Sequence, residues 1–343
     1  MPYYIQMDTR GRSREKVTRR DFIAASALGA IGAAVPGETR AADPSPAPNT
    51  AGGAALGKGK IGDMEIGRLI LGTNIITCHM HQRDLWYLKD LSRQYNTDAK
   101  ILETFAVAEA NGVNAFMTHD EPRVLGLLKE HRDKHGGKMR HFVAPEPKAK
   151  EAADFMEVVQ RLVDGGASGI YVHGAAVDPL VANGNVKRVG EFVDIIRATG
   201  LPAGMACHNL DSLKACLAAK IECDFYLKTF HHLKYPSCPT PEELAADKSD
   251  FYRTHRCQER PHGIWCINPE ETAACMANIK QPWIAYKVMA AGAILPKDAF
   301  KFAFDNGADF ILAGMFDFQV AEDARLASAA HLAARDRARP WCA

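Results

Sequence analysis

"GIYVHGAAVDPLVANGNVKRVGEFVDIIRATGLPAGMACHN", residues 169–209, contains two short apolar runs separated by a segment whose apolar residues recur at helical spacing. The runs at 169–174 and 203–209 are typical of strands buried on both faces, and "VGEFVDIIRATG" is typical of an amphipathic helix. A strand, a helix and a second strand in this order predict a βαβ unit with parallel strands.

The same alternation extends over most of the chain. Amphipathic segments such as "DAKILETFAVAEANG", which stops at Gly112, separate six further strand-like runs. These runs are 68–74, 114–120, 141–146, 224–230, 283–290 and 309–315. Eight strands alternating with helices in 343 residues predict an α/β fold, a single (β/α)8 TIM barrel. A doubly wound parallel sheet is the alternative.

One region interrupts the regular spacing after strand six. Residues 233–261 form an insertion, and its position suits a wall or lid of an active site, because loops at the carboxyl ends of barrel strands carry function. The stretch 261–272 predicts either a ninth strand or an ordered loop. This region also holds Cys238, Cys257 and Cys266, of which one pair could form a disulfide in an oxidising compartment.

The N-terminal 62 residues are predicted to lie outside the barrel. Arg19–Arg20 precede an uncharged stretch from Ile23 to Val35, and this arrangement resembles a twin-arginine export signal. The uncharged stretch, about 13 residues, is shorter than the roughly 20 that span a bilayer. We assign 1–42 to a signal peptide, 43–62 to a flexible lead-in and 63–343 to the catalytic barrel. The expected consequence is a periplasmic or extracytoplasmic protein that uses the twin-arginine machinery and has no stable membrane span when mature.

The charge of the chain argues against nucleic acid as a partner. The formal net charge is +1, and no basic stripe with interleaved aromatic residues is present. We therefore expect a small-molecule substrate.

A ring of polar residues is predicted at the carboxyl ends of the strands, where catalytic groups of this fold sit. Alternate residues of a strand share a face, so one polar side chain on each of seven strands is expected to point inward. These residues are Asn74, His119, Glu146, His173, His208, Lys228 and Lys287. The residues two positions earlier, also predicted to face inward, include Met117, Ala144, Tyr171, Ala206, Tyr226 and Ala285.

The favoured hypothesis is a metal-dependent lyase or isomerase. Imidazole and carboxylate ligands from four successive strands suit Zn, Mn or Fe with open positions for substrate. The proposed ligands are His119, Glu146, His173 and His208. The metal would act as a Lewis acid at a carbonyl group, with Lys228 or Lys287 as the base.

Further polar residues near the same face are predicted to bind the substrate. They are Asn74, Asp120, Asn209, His231 and His232, and His79 and His81 lie on the same face after strand one. Such groups suit a polyhydroxylated ligand, a sugar or oxidised sugar. A sugar-binding barrel without catalytic activity is the non-enzymatic alternative.

Several segments resemble the aldo-keto reductase superfamily of barrels. "RLILGTN" is similar to its first strand, "GIYVHG" to the fourth strand with its catalytic histidine, here His173, and "GMACHNLDSL" to its fifth. This resemblance implies an NAD(P) oxidoreductase in which His173 polarises the carbonyl. The chain departs from the family at Met117, where the family has aspartate, and it lacks the tyrosine after Asp120 and the third-strand lysine.

A second resemblance is to Schiff-base aldolases of the deoxyribose-phosphate type. Lys228–Thr229 on strand six and Lys287 in "KVMAAGAI" on strand seven correspond to the lysines of that group. The resemblance implies covalent catalysis by Lys228, with Lys287 lowering its pKa. A structural alternative is a salt bridge from one lysine to Glu146 or Asp120.

Overall fold

The computed structural model describes residues 55–81, 85, 87–146, 152–238, 240, 242, 266–337 and 339–343. The predicted signal peptide, most of the lead-in, most of the insertion and Cys257 lie outside these residues. In the described part, no helix is both long enough and apolar enough to cross a membrane.

A hairpin closes the amino-terminal end of the barrel. Strands β1 (Lys58–Ile61) and β2 (Met64–Gly67) pair antiparallel. Ile61 and Ile66 are fully buried and pack among the side chains of the barrel interior. The last residues of the segment predicted as a lead-in thus form a strand that packs on the barrel.

Eight parallel strands form a closed barrel, in the order β10-β3-β4-β5-β6-β7-β8-β9. Their bounds are β3 Leu69–Gly72, β4 Ala115–His119, β5 Arg140–Ala144, β6 Gly169–Val172, β7 Ala203–Cys207, β8 Phe225–Thr229, β9 Trp283–Tyr286 and β10 Phe310–Gly314. The pairing of Ile311 with Leu69 joins the last strand to the first. The predicted TIM barrel is confirmed, and this closing pair excludes an open doubly wound sheet.

Helices cover the outside of the barrel. They are α1 Tyr87–Tyr95, α2 Asp98–Ala110, α3 Pro122–His135, α4 Ala152–Asp164, α5 Gly174–Ala182, α6 Val186–Arg197, α7 Leu210–Ala218, α8 Pro269–Met276, α9 Pro296–Asp305 and α10 Asp317–Ala333. Thr97 caps α2 by accepting a hydrogen bond from Lys100 N, and Gly112 follows this helix at φ +80°. Where 261–272 is described, it forms a bend and the start of α8, not a ninth strand.

Two apolar cores lie on opposite faces of the strands. Met117, Ala144, Tyr171 and Ala206 face the barrel interior, as the alternation predicts. The prediction is wrong on strands six and seven, where the inward residues are Leu227, Ile284 and Tyr286 and the helix-facing ones are Tyr226 and Ala285. Strands buried on both faces carry apolar residues throughout, so hydrophobicity does not distinguish the two faces.

A charged cluster fixes the end of the chain to the amino-terminal side of the barrel. Asp309 precedes β10, is fully buried, and accepts a hydrogen bond from Arg339 Nη1 at 2.6 Å. Arg337 donates to the carbonyls of Ala308 and Gly307 nearby. Both arginines are therefore held at the end of the barrel opposite the predicted site.

Candidate active site

Three histidines and a lysine from four strand ends converge at the carboxyl end of the barrel. His119 ends β4, His173 follows β6 and caps α5, and His208 follows β7. The pKa of His173 is lowered to about 3, chiefly by burial and to a smaller extent by the neighbouring His208, His119 and Lys287. The rings of His173 and His208 lie 6.5 Å apart between centroids. The structure thus brings these four side chains together at one end of the barrel.

His208 is held by a carboxylate that the sequence did not suggest. Its Nδ1 lies 2.9 Å from Oδ2 of Asp178, a buried residue of α5. Because a carboxylate only accepts, Nδ1 carries the proton and Nε2 has the lone pair of the neutral ring. Burial lowers the pKa of His208 and Asp178 opposes this shift, so the ring is neutral at pH 7.

Lys287 is the lysine of the site. It follows β9 at φ +58° and is half-buried, with its Nζ 2.5 Å from Nε2 of His81. Burial lowers its pKa from 10.5 to about 7, while the carboxylate of Asp178 acts in the opposite direction. Burial at this position therefore favours the neutral amine.

The left-handed backbone explains how Lys287 reaches the site. Ala285 faces the helices and Tyr286 the interior, so continued alternation would turn residue 287 outward. The positive φ at Lys287 ends the strand, and Ala290 and Ala291 that follow are also left-handed. Non-glycine residues in this conformation are strained, and such strain concentrates at functional sites.

Tyr286 also belongs to the site. Its ring lies 5.4 Å from that of His208, and Lys287 Nζ lies 5.8 Å from its centroid. Alternation predicted Ala285 and Lys287 as the inward residues of this strand, so Tyr286 was not among the predicted site residues. Asp178 had a detectable signal, since it is the one charged residue in the apolar helix "GAAVDPLVA".

The contacts of Lys228 indicate a structural role for this residue. It is 1% exposed, and its Nζ donates to the carbonyls of His208 at 2.7 Å and Thr229 at 3.0 Å. It follows Tyr226 on the helix-facing side of β8. The predicted inward position is therefore wrong, and the geometry gives no support to Lys228 as nucleophile or base.

Two residues predicted to bind substrate make structural contacts. Asp120 is buried and forms a bidentate pair with Arg161 of α4, with 3.1 Å between Nη1 and Oδ1 and 2.5 Å between Nη2 and Oδ2. The carboxylate thus faces a surface helix. Asn209 caps α7 by accepting from Asp211 N at 2.9 Å.

The two histidines after β8 also hold the loop. Nδ1 of His231 donates to the carbonyl of His232 at 2.9 Å, and its Nε2 accepts from Cys266 N at 2.9 Å. Nδ1 of His232 accepts from Lys234 N, and its ring lies 5.4 Å from that of Phe302 in α9. Asn74 is half-buried in the loop after β3.

The proposed metal ligands are not brought together as a set. Within the described ranges, no three His, Cys, Asp or Glu side chains are arranged to hold a metal ion. Nδ1 of His173 accepts from Ala175 N and Nδ1 of His208 is bound to Asp178, while the ring of His119 lies 5.2 Å from that of His79. The described residues therefore give no support to the predicted Zn, Mn or Fe centre at His119, Glu146, His173 and His208.

Comparison with known proteins shows the fold alone. No family model and no curated protein matches the sequence. A structure described as an aldo-keto reductase from Pseudomonas aeruginosa has a TM-score of 0.53 at 14% identity, over 80% of this chain and 94% of that one. A mutant of Gox0644 in complex with NADPH has a TM-score of 0.50 at 8% identity, over 79% of this chain and 88% of that one. A structure described as KDPGal has a TM-score of 0.38 at 13% identity, over 69% of this chain and 91% of that one, too low to carry an argument.

Proposed function

We propose that this protein is a lyase that forms a Schiff base between Lys287 and a carbonyl substrate. The observation that carries the proposal is the placement of Lys287 after β9, where its half-buried amine lies beside His81 and the ring of Tyr286. Burial at this place lowers its pKa to about 7. Only a neutral amine is nucleophilic, and a buried lysine with a lowered pKa is the form that Schiff-base catalysis needs. The earlier assignment of this role to Lys228 is thereby transferred to Lys287.

The first step joins the amine to the substrate. Neutral Nζ attacks the carbonyl carbon, and the carbonyl oxygen leaves as water after taking one proton from the amine and one from a neighbouring acid. The nitrogen keeps one proton and a positive charge. His81, whose Nε2 contacts Nζ, is placed to relay protons in this step.

The second step breaks a carbon–carbon bond. Nε2 of His208 takes the proton of the hydroxyl group on the β carbon of the iminium. The bond between the α and β carbons then breaks, and the β carbon leaves as an aldehyde. The electron pair of this bond moves toward the iminium nitrogen, which gives an enamine. Protonation of the enamine and hydrolysis release the second product and the amine. His173, whose Nδ1 accepts from Ala175 N, carries its proton on Nε2 and donates to a substrate oxygen.

The substrate class that we propose is a sugar or an oxidised sugar. The reaction requires a carbonyl with a hydroxyl in the β position, which such compounds supply. The imidazoles of His173 and His208 and the hydroxyl of Tyr286 offer both donors and acceptors to the other oxygens. Export by the twin-arginine pathway to the periplasm remains part of the proposal.

Reductive trapping tests this function. The protein is incubated with pyruvate, glycolaldehyde or dihydroxyacetone at pH 7.5 and reduced with sodium borohydride, and the adduct is located by peptide mass spectrometry. We expect a stable adduct on Lys287 in the wild type and none at this position in Lys287→Arg. Lys228→Met is the matched lysine control and should retain the adduct.

Two outcomes would contradict the proposal. An adduct on Lys228 that persists in Lys287→Arg would reverse the assignment of the two lysines. Absence of any adduct with all three compounds would reject Schiff-base chemistry, and sugar binding without turnover would then favour the sugar-binding barrel.

A second candidate is a nicotinamide-dependent oxidoreductase. It is favoured by Tyr286, a phenol beside His208 and Lys287 that could donate a proton to a carbonyl. Arg337 and Arg339, two arginines near the end of the chain, bind Asp309 and backbone carbonyls at the opposite end of the barrel, so they do not fit the phosphate of NADP. We therefore derive no step through the nucleotide. Quenching of protein fluorescence on titration with NADPH, absent in Tyr286→Ala, would support this candidate.

A further inference from the structure

Helix α5 presents two residues to the imidazole of His208. Gly174 and Asp178 are four positions apart, so they lie on the same face of the helix, one turn from each other. Oδ2 of Asp178 is 2.9 Å from Nδ1 of His208. A Cβ atom on Gly174 would lie 2.7 Å from Nδ1 and Cε1 of the same ring.

The carboxylate of Asp178 receives three N–H groups from one short segment. Oδ2 accepts from the backbone N of His208 at 3.0 Å as well as from its ring, and Oδ1 accepts from the backbone N of Asn209 at 3.2 Å. Asp178 is 3% exposed and His208 is 6% exposed. Both the main chain and the side chain of His208 are therefore fixed by one residue of a neighbouring helix.

The absence of a side chain at Gly174 has an equally direct effect. A contact of 2.7 Å is shorter than real Cβ atoms show, so any larger residue would displace the ring from Asp178. The same Cβ would lie 3.2 Å from the hydroxyl of Tyr286. Glycine at this position leaves the space that the imidazole occupies.

We propose that Asp178 is the positioning residue of His208: it holds the ring proton on Nδ1, so that Nε2 is the basic nitrogen, while Gly174 provides room for the ring. What the base does in the reaction rests on the proposed function, whereas the position of the proton does not. A carboxylate that only tied α5 to the loop before α7 would leave the ring tautomer unchanged when replaced.

Nitrogen NMR of the protein labelled with ¹⁵N-histidine measures this directly. The signal of His208 is identified by its loss in His208→Gln. In the wild type we expect the protonated nitrogen to be Nδ1 at pH 7. In Asp178→Asn the amide group competes for the same position, and we expect the proton to move to Nε2 or to exchange between both nitrogens.

Two further variants make the measurement selective. Gly174→Ala keeps the charge of Asp178 and displaces the ring, so it should also reduce the Nδ1–H population. Asp211→Asn removes an exposed charge from the first turn of α7 without touching the ring, and its His208 signals should equal those of the wild type. A wild-type proton on Nε2, or an Nδ1–H signal unchanged in both Asp178→Asn and Gly174→Ala, would overturn the proposal.

Borohydride trapping separates this inference from the proposed function. Asp178→Asn should form the Lys287 adduct within about twofold of the wild type but lose at least about 100-fold in the rate of bond cleavage, the range of a general base. No adduct in the wild type would reject the Schiff base and leave the tautomer result intact. An adduct with an unchanged cleavage rate in Asp178→Asn would reject the positioning role.

Discussion

His173 and His208 hold their ring protons on opposite nitrogens. Nδ1 of His173 accepts from Ala175 N at 3.2 Å, whereas Nδ1 of His208 donates to Asp178 at 2.9 Å. The first imidazole therefore offers a donor through Nε2 and the second offers an acceptor through the same atom. Two residues of the same type thus have complementary roles, set by a backbone N–H and a carboxylate.

The donor role of His173 predicts which substitutions it tolerates. Gln places an amide N–H near the position of Nε2, so His173→Gln should retain part of the cleavage activity. His173→Leu removes the donor and should lose roughly 10²- to 10³-fold in kcat, as for loss of one stabilising hydrogen bond. Equal losses in both variants, measured with equal thermal stability, would contradict a role as donor.

The lowered pKa of Lys287 predicts how the rate of borohydride trapping depends on pH. Its neutral form dominates above a pKa of about 7, so the rate of adduct formation should rise through pH 7 and level off above it. Measurement of this rate from pH 5.5 to 9 gives the pKa of the amine. A half-maximal rate near pH 10 would show an ordinary, exposed lysine.

The same lowered pKa links Lys287 to stability. Between about pH 7 and the unfolded value of 10.5, the unfolded chain binds more protons at this residue, so the free energy of unfolding should rise with pH. Below pH 7 both states are protonated, and this contribution to the slope disappears. In Lys287→Met the rise between pH 7 and 10 should be smaller than in the wild type, as measured by urea unfolding.

Substitution of Lys228 should lower the stability of the protein without preventing Schiff-base formation at Lys287. Lys228→Met leaves the carbonyls of His208 and Thr229 without their ammonium donor, and each lost buried hydrogen bond costs about 1–3 kcal/mol. The free energy of unfolding should fall by that order, while Lys287 remains trappable. Unchanged stability would show that the two hydrogen bonds contribute little.

The pair of Asp120 and Arg161 is predicted to be structural. Arg161→Ala leaves the buried carboxylate of Asp120 without its cation, and because the arginine is half exposed we expect a cost of only about 1–2 kcal/mol. Asp90→Ala is the matched control, since it breaks an exposed pair with Arg93 and should change stability by less than about 0.5 kcal/mol. A loss of trapping in Arg161→Ala at full stability would instead place Asp120 in substrate binding.

The strands and their terminal histidines were accessible from the sequence because the signals are local. Each strand is an apolar run, and His119, His173 and His208 are the polar residues that end three of them. Their inward direction follows from alternation, because Met117, Tyr171 and Ala206, two positions before them, face the interior.

The positions of the remaining site residues could not be predicted from the alternation of side chains along a strand. Lys287 enters the site because its backbone is left-handed, and Tyr286 and Lys228 take the faces opposite to those predicted because β8 and β9 are apolar on both sides. Asp178 comes from a helix, so no rule about strand ends could identify it. Its contact with His208 exists only once α5 packs beside the end of β7.

The pairing of Ile311 with Leu69 has a consequence for synthesis of the chain. Until β10 has left the ribosome, β3 and β9 are edge strands with unpaired backbone groups, and a seven-stranded intermediate presents both edges to other nascent chains. Closure requires contacts between the two ends of the sequence, which makes it a late and slow event. Chains truncated before residue 310 should therefore accumulate as aggregates. A chaperone that shields sheet edges would act on this protein until its last strand is made.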